Sequence, residues 1–156
     1  MSVHFVTYSD RHGRDRGPKR RTEELRRALA RARLHEPRIR FGDETRVPDL
    51  AGWRADRFVA PQTGPYMVMP DWICEALSPG TARTDRTEKM PLYARHGVGH
   101  LWLLDPVLQT LEVYRLESGR WIGNYGGDAK IRAEPFDAVE LDLTLVWGPK
   151  REPEGP

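Results

Sequence analysis

Trp72-Ile73-Cys74-Glu75-Ala76-Leu77-Ser78-Pro79 is a short apolar run interrupted by one acid, followed by Asp85-Arg86-Thr87-Glu88-Lys89 and then by Trp102-Leu103-Leu104-Asp105-Pro106. An apolar run of this length, stopped by Ser-Pro, reads as a buried strand. Residues 82 to 96 have helical character; Pro91 should kink that helix or restart it in its first turn, and His96-Gly97 should end it. Gly99 to Asp105 reads as a second buried strand.

Upstream, Ile39 and Phe41 alternate with arginines as far as Gly42-Asp43, and Val47 to Trp53 gives another extended run, so a hairpin of these two segments is expected. Residues 54 to 70 carry Pro, Gly and Gln without periodicity and read as a long surface loop. Thr22 suits a helix N-cap, and Leu25, Ala28, Leu29 and Ala32 fall on one face of a helix ending near Leu34. Residues 1 to 20 show no period and read as an irregular N-terminal arm. Downstream, Leu111 to Leu116, Trp121 to Tyr125 and Val139 to Val146 read as strands, and residues 149 to 156 as a disordered tail. Strand, helix, strand and then more strands predict an α/β or α+β domain over residues 21 to 148, with a mixed sheet flanked by helices.

A chain of 156 residues suits one domain with a sizeable core. Cys74 is the single cysteine and excludes an internal disulfide, and no apolar segment reads as a signal peptide or a membrane span. A soluble, cytoplasmic protein with no membrane partner is therefore expected. Charge is uneven: residues 11 to 40 hold twelve Lys/Arg against four Asp/Glu, whereas residues 105 to 142 hold four against eight. The basic segment is compatible with a polyanionic partner such as DNA. Only four of the twenty-five cations are lysines, so the Arg density is also a compositional habit.

Two acids lie inside apolar surroundings, Asp49 in Val47-Pro48-Asp49-Leu50 and Glu75 in the opening run. An ionised carboxylate withdrawn from water is costly unless it is paired, hydrogen-bonded or bound to metal. A divalent metal accounts for both, because Mg²⁺ takes carboxylate oxygens and an ammonium beside it completes the equipment for phosphodiester cleavage. Residues two apart share a strand face, so the lysine slot after Glu75 falls to Leu77, which cannot serve. Lys89, on the following helix, has the reach. Its ordinary reading is a surface ion pair with Asp85, four residues earlier. Asp71, in the second Pro-Asp dipeptide, marks the start of Glu75's own strand, so Asp49 is the better ligand. Glu36 is a weaker third metal candidate whose ordinary reading is a solvated loop acid. Gathered carboxylates should raise the pKa of one of them, and metal should stabilise the fold.

Other constellations point elsewhere. His96 and His100 are separated by Gly97 and Gly99, which break the helix a zinc pair needs. Ser78 lacks a nucleophile-elbow frame and suits a turn, as does Asp105 before Pro106. Trp53, Trp72, Trp102, Trp121 and Trp147 are spread over expected strands and suit core packing. There is no Gly-rich phosphate loop.

Val47-Pro48-Asp49-Leu50, Glu75 to Pro79, Asp85 to Lys89, Tyr93 with Gly97-Val98, and Leu101 to Pro106 together resemble the bacterial Uma-two family of endonucleases, over roughly residues 36 to 146. The resemblance implies a restriction-endonuclease-like fold of the PD-(D/E)xK superfamily. It also implies that Asp49 and Glu75 bind Mg²⁺, with Mn²⁺ as a substitute, and that Lys89 is a catalytic lysine displaced onto the next helix. Residues 1 to 20 do not align to the family's usual opening. The expected function is a Mg²⁺-dependent endonuclease acting on DNA. The alternatives are a catalytically inactive nuclease-fold module that binds nucleic acid or a partner, and a subunit that works as a homodimer.

Overall fold

The computed structural model describes residues 3–5, 37–54, 56–126, 130–136 and 140–147. In chain order the strands are β1 (Val3–Phe5), β2 (Ile39–Phe41), β3 (Glu44–Arg46), β4 (Leu50–Arg54), β5 (Trp72–Ala76), β6 (His100–Asp105), β7 (Thr110–Glu117), β8 (Arg120–Gly126), β9 (Lys130–Ile131) and β10 (Leu141–Asp142). Between β5 and β6 run α1 (Ala82–Thr84), a π-helical turn (Asp85–Lys89) and α2 (Met90–Arg95), and α3 (Thr144–Trp147) follows β10.

Six strands form one mixed sheet in the order β1-β4-β5-β6-β7-β8. All neighbours are antiparallel except β5 and β6, which the helical segment joins as a parallel crossover. Both central strands are buried on both faces, which explains their near-continuous apolar sequence. One face carries Ile73, Leu101 and Leu103 and is covered by the β2–β3 hairpin (Ile39, Phe41) and α2 (Leu92, Tyr93). The other carries Trp72, Cys74, Trp102 and Leu104 and is covered by Ala133, Leu141, Leu143 and Phe136. Trp53, Trp72 and Trp102 are fully buried, in keeping with a packing role.

Pro91 leaves its mark on the helix. It lacks an N–H and its ring crowds the preceding turn, and immediately before it the backbone widens to i→i+5 bonding, with the Met90 N–H donating to the Asp85 carbonyl. The helix ends where the sequence indicates. Gly97 takes φ +74°, and the Val98 N–H returns to the Tyr93 carbonyl at 3.0 Å, closing the C-terminal turn.

Three expectations are corrected, while the surface loop after β4 stays a loop and is anchored by packing. The hairpin partner of Ile39–Phe41 is Glu44–Arg46 rather than the Val47–Trp53 run, because Gly42 at φ +58° reverses the chain at once and Pro48 then interrupts extended pairing. The N-terminal arm is not wholly irregular: Val3–Phe5 pairs with the open edge of β4, a partner that no local pattern announces. Val139 to Val146 is not one strand, since only Leu141–Asp142 pairs, and the Asp142 carboxylate then accepts the Thr144 N–H at 3.0 Å as α3 begins. The 56–70 loop is packed down by a Trp53–Tyr66 stack at 4.9 Å and by the Trp53 indole N–H on the Val68 carbonyl. The helix expected near residues 22 to 34, Glu36 and the 149–156 tail lie outside the described residues. Among the described residues no helix is long and apolar enough to cross a membrane.

Leu103 sits at the centre of the helix-covered face with no exposure, whereas a Cβ on Gly97 meets open space and only the backbone resists it. Urea denaturation should therefore show a loss of about 2–5 kcal/mol for Leu103→Ala, and of only about 1–2 kcal/mol for Gly97→Ala.

Candidate active site

Glu75 is the penultimate residue of the interior strand β5, and its alternation with Cys74 turns it to the helix-covered face, where it is 2% exposed. The antiparallel register Leu50↔Cys74 carries Asp49 alongside it at the start of β4. The two acids are interlocked: the Asp49 N–H points to Glu75 Oε2 at 3.4 Å, and Asp49 Oδ2 accepts the Ala76 N–H at 2.7 Å. Pro48 keeps the chain out of the ladder until Leu50, so Asp49 stands just before the first paired residue of β4.

The crossover helix supplies the rest. Lys89, last residue of the π turn, places Nζ 3.1 Å from Glu75 Oε2 and 2.7 Å from Asp85 Oδ1, an ion pair to each. One turn later the Tyr93 hydroxyl donates to Glu75 Oε1 at 2.5 Å. Asp85, Lys89 and Tyr93 are four residues apart in succession and form one stripe facing the sheet. Insertion of a π turn within this stripe is a common device at functional sites, since it re-aims a side chain without breaking the helix.

Burial raises the Glu75 carboxyl to about 7; Lys89 and the Tyr93 hydroxyl oppose the rise and Asp49 adds to it. Like-charge repulsion is thus a lesser cause than the withdrawal from water. Burial works against the charged form of Lys89, but attraction to Glu75 and to Asp85 outweighs it and holds the ammonium above its ordinary range. Burial, then Glu75, raises the Tyr93 phenol, which stays a neutral donor. Burial lifts the Cys74 thiol well above normal, so on the opposite face it is a packing group and not a nucleophile.

The structure therefore brings Asp49, Glu75 and Lys89 together and leaves Glu36 undescribed. Among the described residues no three His, Cys, Asp or Glu side chains are grouped to hold an ion by themselves. Two carboxylates, one buried and one at its rim, make a donor set that fits Mg²⁺, which keeps several waters and asks for few protein oxygens. The set does not fit a closed zinc site, and His96 and His100 are engaged separately, with the Leu92 carbonyl and with Glu134.

Two members of this cluster are not singled out for it by sequence. Asp85 is read as a surface ion-pair residue but is 1% exposed, and Tyr93 is the partner of Glu75. Their i, i+4, i+8 spacing with Lys89 was the available signal. Asp105 and Ser78 do shape turns: Asp105 accepts the Val107 and Leu108 N–H groups, and Ser78 exchanges hydrogen bonds with Thr81.

The family profile of Uma2, described as "Putative restriction endonuclease", matches residues 20–144. A crystal structure of a putative nuclease from Anabaena variabilis is similar at a TM-score of 0.60 and 24% sequence identity, over 86% of this chain and 83% of that one, and establishes the shared restriction-endonuclease-like fold. No curated protein matches the chain.

Glu75 titrates at about 7 when folded against an ordinary 4.5, so between those values the folded chain holds a proton that the unfolded chain has shed. The stability this proton provides is complete below 4.5 and lost as pH rises through 7. In chelator, urea midpoints of the wild type should fall over this range, and Glu75→Gln should flatten the fall; an equally steep Gln variant would assign the titration to another group.

Proposed function

Because this chain belongs to the Uma2 family, we propose that it is a Mg²⁺-dependent DNA endonuclease centred on Asp49, Glu75 and Lys89, with Mn²⁺ as an effective substitute. The observation that carries this reading is the Lys89 ammonium 3.1 Å from a buried carboxylate, Glu75, that lies beside Asp49 across two paired strands. A structural ion pair alone would sit more cheaply at the surface, since burying both charges costs more than an apolar pair of the same size. The nuclease fold shared with the Anabaena protein and the basic N-terminal segment support a nucleic-acid substrate.

Asp49 and Glu75 would hold the cation, which when bound supplies positive charge at the phosphate and acidifies a coordinated water. Tyr93 fixes the Glu75 rotamer through Oε1 and so keeps Oε2 directed at Asp49 and Lys89. Lys89 stays positively charged and stabilises the negative charge that develops on the non-bridging oxygens of the scissile phosphate. Hydrolysis forms a bond from water oxygen to phosphorus, breaks the phosphorus–oxygen bond to the leaving sugar, and returns a proton to that oxygen. Asp85 would keep the ammonium on the sheet side of the helix with the Glu75 oxygen engaged by the cation. Cutting both strands calls for two such centres, which a homodimer supplies.

Purified protein with Mg²⁺ or Mn²⁺ should nick supercoiled DNA, and Asp49→Ala, Glu75→Ala and Lys89→Ala should each slow nicking by about 10²-fold or more. Equal nicking by Glu75→Ala would trace the activity to a contaminant. Calorimetric Mn²⁺ binding should vanish in Asp49→Ala, and in the wild type should weaken as pH falls below about 7, where a proton competes for Glu75.

A further inference from the structure

Glu112 is a second buried carboxylate on the helix-covered face, at 8% exposure. The register runs Glu75↔Leu103 from β5 to β6 and Leu103↔Glu112 from β6 to β7, so both acids stand in one row across the sheet. Two strand spacings separate their backbones by roughly 10 Å. Glu112 Oε2 accepts the Tyr114 hydroxyl at 2.6 Å, and Oε1 accepts Nη2 of Arg86. Arg86 belongs to the same π turn as Lys89, three residues earlier, and its side chain remains 40% exposed.

An ion pair that merely fastened the helix to β7 would be a poor use of this position. Helix and sheet are already joined by Leu92, Tyr93 and the Trp121 indole N–H on the Met90 carbonyl. An apolar residue at 112 would extend the core past Leu103 at less desolvation cost. Instead a buried acid, locked by a tyrosine, grips one nitrogen of a guanidinium. That grip fixes its direction and takes only one of its nitrogens, while the side chain, on the same turn as Lys89, stays 40% exposed. A planar, permanently charged fork held in this way matches the oxygens of a phosphodiester.

We infer that Arg86, presented by Glu112 and Tyr114, binds a non-scissile phosphate of the nucleic-acid strand and sets its register over Asp49, Glu75 and Lys89. This rests on the nuclease reading above. Glu112 and Tyr114 act through Arg86 and are positioning residues.

The test is binding of a fluorescein-labelled DNA duplex to the full chain in chelator, followed by anisotropy over a range of NaCl concentrations. Arg86→Gln, which removes the charge but leaves a polar amide, should weaken binding several-fold and reduce the log–log salt slope by about 0.9, the loss of one phosphate contact. Arg86→Lys should restore the slope. Arg120→Ala removes the same charge at the far end of β7 and β8, five residues along the strand from the Glu112 row, and should leave the slope unchanged. Mn²⁺ affinity should be the same in Arg86→Gln and wild type, a result that a collapsed site would not give. An unaltered slope in Arg86→Gln, or an equal change in Arg120→Ala, overturns the inference while metal-dependent nicking by the wild type keeps the nuclease reading standing. A wild type that neither binds nor nicks DNA overturns both.

Discussion

A carboxylate at the centre of a sheet is the constraint to which the rest of this molecule answers. Glu75 is nearly without solvent, in a strand whose neighbours are otherwise apolar. Each contact around it lowers the cost of that burial: an ammonium and an amide N–H at Oε2, and a phenol at Oε1. The compensation is incomplete, which is why burial still lifts the carboxyl to about 7. The divalent cation proposed above would complete that compensation, since carboxylate oxygens favour such a partner.

The surrounding fold can be understood as the apparatus that holds this arrangement. Parallel pairing of β5 and β6 requires a crossover, and the crossover lays its helix over the acid. Pro91 and the widened turn before it aim Lys89, while Asp85 and Tyr93 lie above and below it on the same stripe. The Asp49 carboxylate caps the Ala76 N–H, so β4 and β5 cannot slide without breaking the site. Stability and the proposed chemistry thus share the same bonds.

Much of this was legible along the chain. The apolar runs at 72–77 and 99–105, the helical segment between them and its Gly97 end were readable because burial on both faces and a left-handed cap leave strong local signatures. Asp49 and Glu75 stood out as charges in places where charge is expensive, and Lys89 as a cation on the next helix with the reach to join them. Asp85 and Glu112 did not. Asp85 looked like half of a surface pair, and Glu112 alternates with Leu111 and Val113 as a solvent-facing acid would. What buries them is a helix that crosses over a strand more than twenty residues away, and local pattern carries no record of that.

By itself the sequence determined the strand–helix–strand core and the absence of an internal disulfide, because each follows from residue type and short-range spacing, and it nominated Asp49, Glu75 and Lys89 as candidates. Tertiary structure alone decided which hairpin forms, that Val3–Phe5 closes on β4, that Lys89 answers Glu75 and Asp85 at once, and that Arg86 is gripped by Glu112. Those facts depend on register between strands and on the height at which a helix crosses a sheet. Both are set by packing many residues together at once, and no single segment encodes them.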